Sequence, residues 1–470
     1  MTANTTRRTA LRSGLAGVAS IAGTLLPAGL GTSAPLAVRR DINTLAPDDP
    51  IILTYAAAVR YLRLLPSGDR RSWNNLTSIH MNWCTHQNWY LLPWHREYLL
   101  ALERIIQSLP MRAVPRASEF SMPYWDWTRN PRLPTAFTRR TLNDGSANPL
   151  LDRSRRVGPN AVIPTELIGT AAMRSVYGAP TFETFASSRP AGQNNTNSSW
   201  QRVTSAQGFL EATPHNGVHN WIGGNMLTMA SPRDPIFFLH HANIDRIWAS
   251  WNAHGNMNTS ATAWLNFTFT QNFVQPNGVR YNRRVRDINM STYSYERLDP
   301  RVSKASQSSA PARKSLTLPA TNGGSRLSST VMTQQINIPK RHKWQSTAVL
   351  KILGITVPPQ RVMNLVRVFV NHPGPNEDTP PDGPFFLGSL AFFTGSGRIA
   401  GDASLVNSDI CTPARNCFSF DLPLTEMLNR WQAEDLLLGE SLTVQLVTVG
   451  PMRERSEPSA KPASIHLESL

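Results

Sequence analysis

Cysteine is scarce, with three in 470 residues. That excludes a scaffold built on disulfides and any metal cluster held by several thiolates. Acidic residues are also short, 31 Asp and Glu against 47 Lys and Arg, so the formal charge is +16. Such an excess would suit nucleic acid or an anionic surface. The basic residues are spread along the chain, however, with no dense Lys/Arg block and no nucleic-acid-binding motif, so no nucleic-acid partner is expected. Apolar runs of membrane-spanning length are missing too: the one weakly hydrophobic stretch, up to about Leu30, is Gly-rich and broken by Pro27, so no stable membrane span is expected. No internal repeat is evident, and the length is enough for two domains with buried cores.

What the chain does have is histidine, unevenly placed. Of 11 histidines, seven fall in two stretches: His80, His86 and His95 in one, His215, His219, His240 and His241 in the other. His215 and His219 stand at i, i+4, so on a helix both rings leave one face. Pro235 to Trp251 reads as a further helix carrying His240 and His241. Adjacent helical positions are about 100° apart, so only one of that pair can point toward the others. Imidazoles without cysteine or carboxylate beside them suit copper, with zinc, iron and nickel disfavoured. A lone His-x-x-x-His pair is more often a solvated or packed helix face. A second three-histidine stretch changes that balance and suggests two metals sharing one site.

The remaining texture gives an order of elements. Thr6-Arg7-Arg8-Thr9 ahead of the mild apolar run reads as a twin-arginine export signal over residues 1–38, with Arg39-Arg40 near the mature start and a periplasmic or secreted destination. Apolar residues at helical spacing (Ile52, Tyr55, Ala56, Val59, Leu62) predict a helix over 49–65. His80 follows on a helix or turn at 71–80. His86 and His95 are nine apart and cannot share one side of a helix, so His86 is expected on a loop. His95 then falls early in a helix over 93–108, with Pro93 in its first turn and Leu99, Leu102, Ile105 and Ile106 as its core stripe. Residues 128–210 read as an irregular belt, and 301–330 as a linker rich in Ser, Ala, Pro and Gly. Short β-prone runs follow at 335–338, 348–355, 362–370, 385–393 and 441–449, as in an antiparallel sandwich. Cys411 and Cys417 could pair in an exported protein. Residues 451–470 read as an unordered tail.

Three stretches carry a resemblance: LLPWHREYLLALER from Leu91, MPYWDW from Met122, and HNGVHNWIGG with SPRDPIFFLHHANIDRIW from His215 and Ser231. Together they closely resemble the tyrosinase / polyphenol oxidase (catechol oxidase) family of dinuclear type 3 copper proteins, over roughly residues 50–255. The resemblance implies two copper ions per chain, with His80, His86 and His95 holding one and His215, His219 and His241 the other. It selects the second histidine of the adjacent pair and leaves His240 behind the ligands, orienting a ring or a main-chain carbonyl. His80 lies only six residues before His86, a shorter loop than many members have. The implied fold is a mainly α catalytic domain over 39–300, a four-helix core with a loop-rich periphery, followed by a β-sandwich-like domain over 331–450 that covers the copper site in many relatives.

The resemblance also implies the chemistry. Phenols or catechols would be oxidised by dioxygen to o-quinones. Catechol oxidase or o-aminophenol oxidase activity without the monophenol reaction, and haemocyanin-like oxygen binding, are the alternatives. Cys84, two residues before His86, matches a Cys-x-His pattern in which sulfur is bonded to the imidazole. Glu211 and Asn216 match a pair that holds a water able to take the phenol's proton. Met229 falls where a residue commonly overhangs copper. Trp94, Arg96, Tyr124, Trp125, Asp126, Trp127, Asp234, Asp245 and Arg246 also belong to the signatures and read as structural, with Arg/Asp pairs bracing the helices. Implied partners are a phenolic substrate, dioxygen and a copper-delivery or export protein.

Overall fold

The computed structural model describes residues 37–190, 204–300, 331–337, 347–356, 365–393, 417–434, 441–449 and 462–469. Helix α1 (Pro50–Leu64) starts where its sequence caps it: Asp49 accepts from the Ile51 amide, and Pro50 sits in the first turn, where no donor is needed. Ser72 caps α2 (Trp73–Trp83) through the Asn75 amide. After a loop, α3 (Leu91–Gln107) runs buried along most of its length, with Leu99, Leu102, Ile105 and Ile106 at or near zero exposure. His80 is therefore on α2, His86 on the loop and His95 on α3.

The expected belt follows, holding three short helices, α4 (Thr165–Ile168), α5 (Thr170–Tyr177) and α6 (Phe182–Phe185), and a two-residue strand, β2 (Ala206–Gln207). A π-helical turn, Glu211–His215, leads into α7 (Asn216–Ile222), and α8 (Ile236–Ala253) packs beside α3. A short helix, α9 (Thr262–Asn266), and a hairpin of β3 (Thr268–Val274) and β4 (Arg280–Arg284) close the helical part.

Buried charges fix α3 against α8. Asp245 takes Arg96 at 2.6 Å and Arg39 at 3.2 Å, and accepts from the Tyr293 and Tyr295 hydroxyls at 2.5 and 2.6 Å. Arg39 also pairs with Glu103 at 2.7 Å. It is delivered by β1 (Ala37–Arg39), which lies parallel to β5 (Tyr293–Tyr295). Ala37 and Val38, expected in the leader, are thus the first residues of a strand, drawn in by the fully buried Arg39. Residues 1–36, with the rest of the expected leader, lie outside the described residues, as does the expected linker at 301–330.

Strands occupy all five β-prone runs: β6 (Val331–Asn337), β7 (Ala348–Thr356), β8 (Leu365–Val370), β9 (Phe386–Ala391) and β11 (Ser441–Val449). They fall in two four-stranded sheets, ordered β6-β11-β8-β9 and, with β10 (Cys417–Pro423) and β12 (Ser464–Ser469), β12-β7-β10-β2. Three elements there were not expected. Strand β10 alternates buried Phe418, Phe420 and Leu422 with polar residues, a period-2 signal hidden by its Ser, Asp and Pro. Helix α10 (Thr425–Ala433) buries Met427, Leu428 and Trp431. The tail expected to be unordered holds β12, which completes the edge of β7 and buries Ile465. Cys417 is disulfide-bonded, while Cys411 lies outside the described residues.

The sheets do not stand apart from the helices. From Ala37 on, the described residues form one compact unit, and β2 from the belt joins β10 in parallel. Arg367 pairs with Glu166 at 2.7 Å. A Cβ on Gly388 would meet the Phe209 ring at 2.8 Å, so glycine lets β9 lie close against the helical part.

Candidate metal centre

The two stretches of histidine converge. His80, His86 and His95 gather with Cys84, and His215, His219, His240 and His241 form a second group; within each, the ligand atoms lie within 4.8 Å of one another. The groups adjoin, with ring centroids 4.0 Å apart for His95 and His241 and 5.6 Å for His86 and His215. Neither contains a carboxylate.

In four of the rings, hydrogen bonds decide which nitrogen is free. His80 Nδ1 meets the Met229 carbonyl at 2.6 Å, His95 Nδ1 the Leu91 carbonyl at 2.8 Å, His219 Nδ1 the Met226 carbonyl at 2.8 Å, and His215 Nδ1 the Asn216 Oδ1 at 2.9 Å. Each partner is an acceptor, so Nδ1 carries the proton and Nε2 keeps a lone pair. The Nε2 atoms of His80 and His215 are buried without a hydrogen-bond partner, and those of His219 and His241 face each other at 3.2 Å. Bare, converging lone pairs in a buried site fit a bound cation, because unsatisfied buried polar atoms are otherwise costly. Burial also holds the rings neutral, pushing His80 down to about 3 and His215 to about 4.

The sequence sets this up locally. Gly223 and Gly224 take φ of +74° and +59°, and a Cβ on Gly224 would strike the Ser154 carbonyl. That tight turn returns the chain so the Met226 and Met229 carbonyls reach His219 and His80. Met229 is half-buried, and its carbonyl is what touches a site histidine. His240 differs from its neighbour. The Trp127 indole N–H donates to His240 Nδ1 at 3.3 Å, which leaves the neutral ring's proton on Nε2. In that form Nε2 offers no lone pair, although His240 lies in the group.

Cys84 is buried, its Sγ 3.6 and 3.9 Å from the two ring nitrogens of His86 and 3.3 Å from His95 Nε2. Glu211 and Asn216 are both buried, but each is engaged elsewhere. Glu211 accepts from the Gln87 amide at 2.6 Å and from the Ser187 hydroxyl. Burial lifts its carboxyl to about 8, against the pull of those two donors. Asn216 gives one N–H to Gln207 Oε1 at 2.7 Å and the other to the Ala391 carbonyl at 2.9 Å. The expected water-holding arrangement therefore meets an amide whose donors are already taken.

Two aromatic rings at the site were not anticipated. Phe237 lies 4.2 Å from His241 and 5.0 Å from His80, ring to ring, and forms a wall of the chamber. Its position four before His241 on one helix was a readable sign. Phe393 comes from beyond β9, its ring 4.9 Å from His219, 5.1 Å from His86 and 6.4 Å from His215. No local pattern pointed to it, because its partners are distant in the sequence. Ser187 and Gln207 were likewise missed.

A helical core that delivers two histidine groups, with tautomers fixed by main-chain and amide oxygens, defines a dinuclear metal protein with imidazole ligands. Residues 70–254 match the family model described as the common central domain of tyrosinase. Residues 70–254 thus carry a tyrosinase-like central domain, and the two histidine groups, which could hold a pair of copper ions, both lie within it.

Among curated relatives, the chain is 29% identical to a chloroplastic polyphenol oxidase of Vitis vinifera over 46% of its own length and 40% of that protein's. It is 29% identical to tyrosinase HcTyr1 of a Hahella species, over 59% and 61%. It is 32% identical to the tyrosinase of Streptomyces glaucescens, over 35% and 63%. The chain thus spans about half the length of the curated relatives it matches. In fold it resembles latent apple tyrosinase, with a TM-score of 0.71 at 22% identity over 94% of this chain and 98% of that one. Latent aurone synthase, a polyphenol oxidase, gives 0.67 at 21% identity over 93% and 89%. These are helical cores followed by a sheet-rich region, as here. Among the described residues no helix is long and apolar enough to cross a membrane.

Proposed function

We propose that this chain oxidises phenols and catechols to o-quinones with dioxygen, the monophenol reaction included. The observation that carries the reading is the set of bare Nε2 atoms converging from both histidine groups, with no carboxylate among them. His80, His86 and His95 would hold one copper and His215, His219 and His241 the other. His240 stands behind them, because its Trp127 hydrogen bond gives the wrong tautomer for a ligand. When bound, the copper pair supplies dioxygen binding and electron transfer.

The chain does the rest. Carbonyls of Leu91, Met226 and Met229 and the Asn216 amide oxygen hold the rings against rotation. Phe237 and the buried helices exclude water. A flat phenolic ring takes the slot between His86 and His219 that Phe393 now fills, past the Met229 side chain. Glu211, with a proton affinity tuned by burial, receives the phenol's proton through a water that Asn216 helps hold once its amide is free. A catechol ring already carries the second oxygen and depends less on that step. Cys84 Sγ, 3.6 and 3.9 Å from the two His86 nitrogens, bonds to the ring carbon between them. The thiol and ring hydrogens leave as two protons and two electrons, taken up by dioxygen, and the ring is locked in place.

Phe393, from the sheet-rich region, supports latency: its ring lies against those of His86 and His219, and displacing that region opens the site. The arginine pair near the start of the chain supports export of the folded protein through a twin-arginine route, with a copper-delivery partner beforehand. The test is a copper-loaded assay of a monophenol and an o-diphenol side by side, before and after limited proteolysis, read as quinone absorbance. Quinone from both, increasing after protease, is expected. Stoichiometric oxygen binding without quinone would favour a carrier and reject the proposal.

A further inference from the structure

Two residues of the loop-rich belt reach the buried Glu211 and Asn216. Ser187 and Gln207 face each other in an antiparallel bridge, so their side chains leave the same face, with Cβ atoms roughly 5 Å apart. Both are fully buried. The Ser187 hydroxyl donates to Glu211, and Gln207 Oε1 accepts from Asn216 Nδ2 at 2.7 Å. The orientation of the Gln207 amide follows from its partners. The other Asn216 N–H goes to the Ala391 carbonyl, and His215 Nδ1 lies 2.9 Å from Asn216 Oδ1. Asn216 therefore presents a donor to Gln207, which must answer with its oxygen and turn its nitrogen elsewhere. That nitrogen, Gln207 Nε2, is buried with no hydrogen-bond partner among the described residues. Unmet N–H groups in a closed site are costly, and an acceptor that meets them is expected.

We propose that Gln207 is a positioning residue for the proton step: its free amide holds the water that links a phenol to Glu211. The proposal rests on the phenol-oxidising reading above and gives its monophenol branch a second amide. Asn216 has both N–H groups engaged, whereas Gln207 has its own unused. Glu211 accepts from the Gln87 amide on Oε1 and from Ser187 on Oε2. Each carboxylate oxygen has two lone pairs, so a further donor can be taken. A water between Gln207 Nε2 and Glu211 accepts one hydrogen bond, gives one, and keeps a lone pair for the phenol hydroxyl. The phenol's proton passes to that water as a water proton passes to the Glu211 carboxylate. Phenolate, water and a neutral carboxyl result, and no electron changes hands. Neither Ser187 nor Gln207 lies on a histidine-bearing helix. The belt thus sets the proton step separately from the metal ligands.

A crystal structure of the copper-loaded full chain, at a resolution that shows ordered water, tests the geometry without any variant. A water within about 3.2 Å of both Gln207 Nε2 and a Glu211 oxygen is expected. Gln207 bonded directly to Glu211, or no water on Nε2, overturns the proposal. Gln207→Met keeps the length of the side chain and removes the donor. After limited proteolysis, its ratio of monophenol to catechol oxidation is expected to fall about tenfold, as for one buried hydrogen bond left unmade. The deficit should appear in kcat more than in KM. It should also shrink for a ring-fluorinated phenol, which gives up its proton more readily. Equal loss on monophenol and catechol, or a deficit indifferent to the acidity of the phenol, means that Gln207 only packs the site, and overturns the proposal. A parent chain that makes no quinone from either substrate after proteolysis would instead count against the phenol-oxidising reading, and the crystal would still decide whether Gln207 holds the water.

Discussion

The ring of Phe393 lies 4.9 Å from the ring of His219, although the two residues are far apart in the sequence. A side chain from the sheet-rich region thus lies against a histidine of each group. Truncating it should open the slot. The Phe393→Gly chain is expected to oxidise catechol faster without protease, by about tenfold for each 1.4 kcal/mol by which the plugged state is weakened. It should also lose about 3–5 kcal/mol of stability, the usual cost of emptying a buried phenylalanine site. Initial rates and denaturant midpoints check both. Unchanged catechol rates would mean the ring does not gate the site.

Glu211 and Asn216 should separate the two reactions. Asn216→Leu and Glu211→Gln are each expected to depress monophenol oxidation more than catechol oxidation, by roughly ten- to a hundredfold, the low end of what positioned proton transfer contributes. The ratio of the two rates in protease-treated protein is the readout. Equal loss on both substrates would remove the proton-transfer role.

Glu211 also gives a pH signature. Burial raises its carboxyl from 4.5 to about 8 in the metal-free chain, so the neutral acid is favoured in the fold. Its contribution to stability is complete below about 4.5 and is lost as pH rises through about 8. Two cations nearby stabilise the carboxylate and move that loss to lower pH. Monophenol oxidation should therefore increase with pH at a midpoint below about 8, a limb absent in Glu211→Gln. A pH profile shared by parent and variant would contradict the assignment.

The histidines act with the opposite sign. Their folded values are depressed, His80 to about 3 and His215 to about 4 from 6.5, so they favour the fold fully above about 6.5 and lose that contribution as pH falls. The metal-free chain should show a falling Tm between about pH 6.5 and 4, and the loaded chain should release copper over the same range as protons compete for Nε2. Thermal melts and copper retained after desalting report this. A flat Tm across that window would mean the rings are not buried neutral.

Asp245 is expected to be structural. It is buried with two arginines and two tyrosine hydroxyls on its oxygens, so Asp245→Ala leaves Arg39 and Arg96 uncompensated. A cost of about 3–5 kcal/mol is expected. Copper content of whatever folds should be near normal. A stable variant with lost copper would make Asp245 part of the site instead.

The sequence carried the helical half of this molecule well because its signals are local. Histidines at i, i+4, Asp49 ahead of Pro50 and the apolar stripe of α3 need only short stretches of chain to be read. His86 falls on a loop for the same kind of reason, since nine residues cannot bring it beside His95 on one helix. Signals of mixed character were lost: β10 hides an alternating Phe418, Phe420, Leu422 pattern among Ser, Asp and Pro, and β12 sits in a polar tail. What no local pattern carries is contact between parts of the chain far apart in sequence. Phe393 among the histidines, Ala391 on Asn216, and β2 completing a distant sheet follow from how the two parts dock. The adjacent pair His240 and His241 lies between these cases: helical geometry says they differ, and the Trp127 hydrogen bond, which falls on His240, is not local to the pair.

The central claim is that six imidazoles seat two copper ions. Copper counted per chain by elemental analysis, on protein loaded, desalted and assayed for quinone formation, tests it most directly. The account predicts two per chain, close to one for His219→Ala, and still two for His240→Ala. One copper or none per chain in material that forms quinone, or a loss of copper in His240→Ala matching that in His219→Ala, would contradict it.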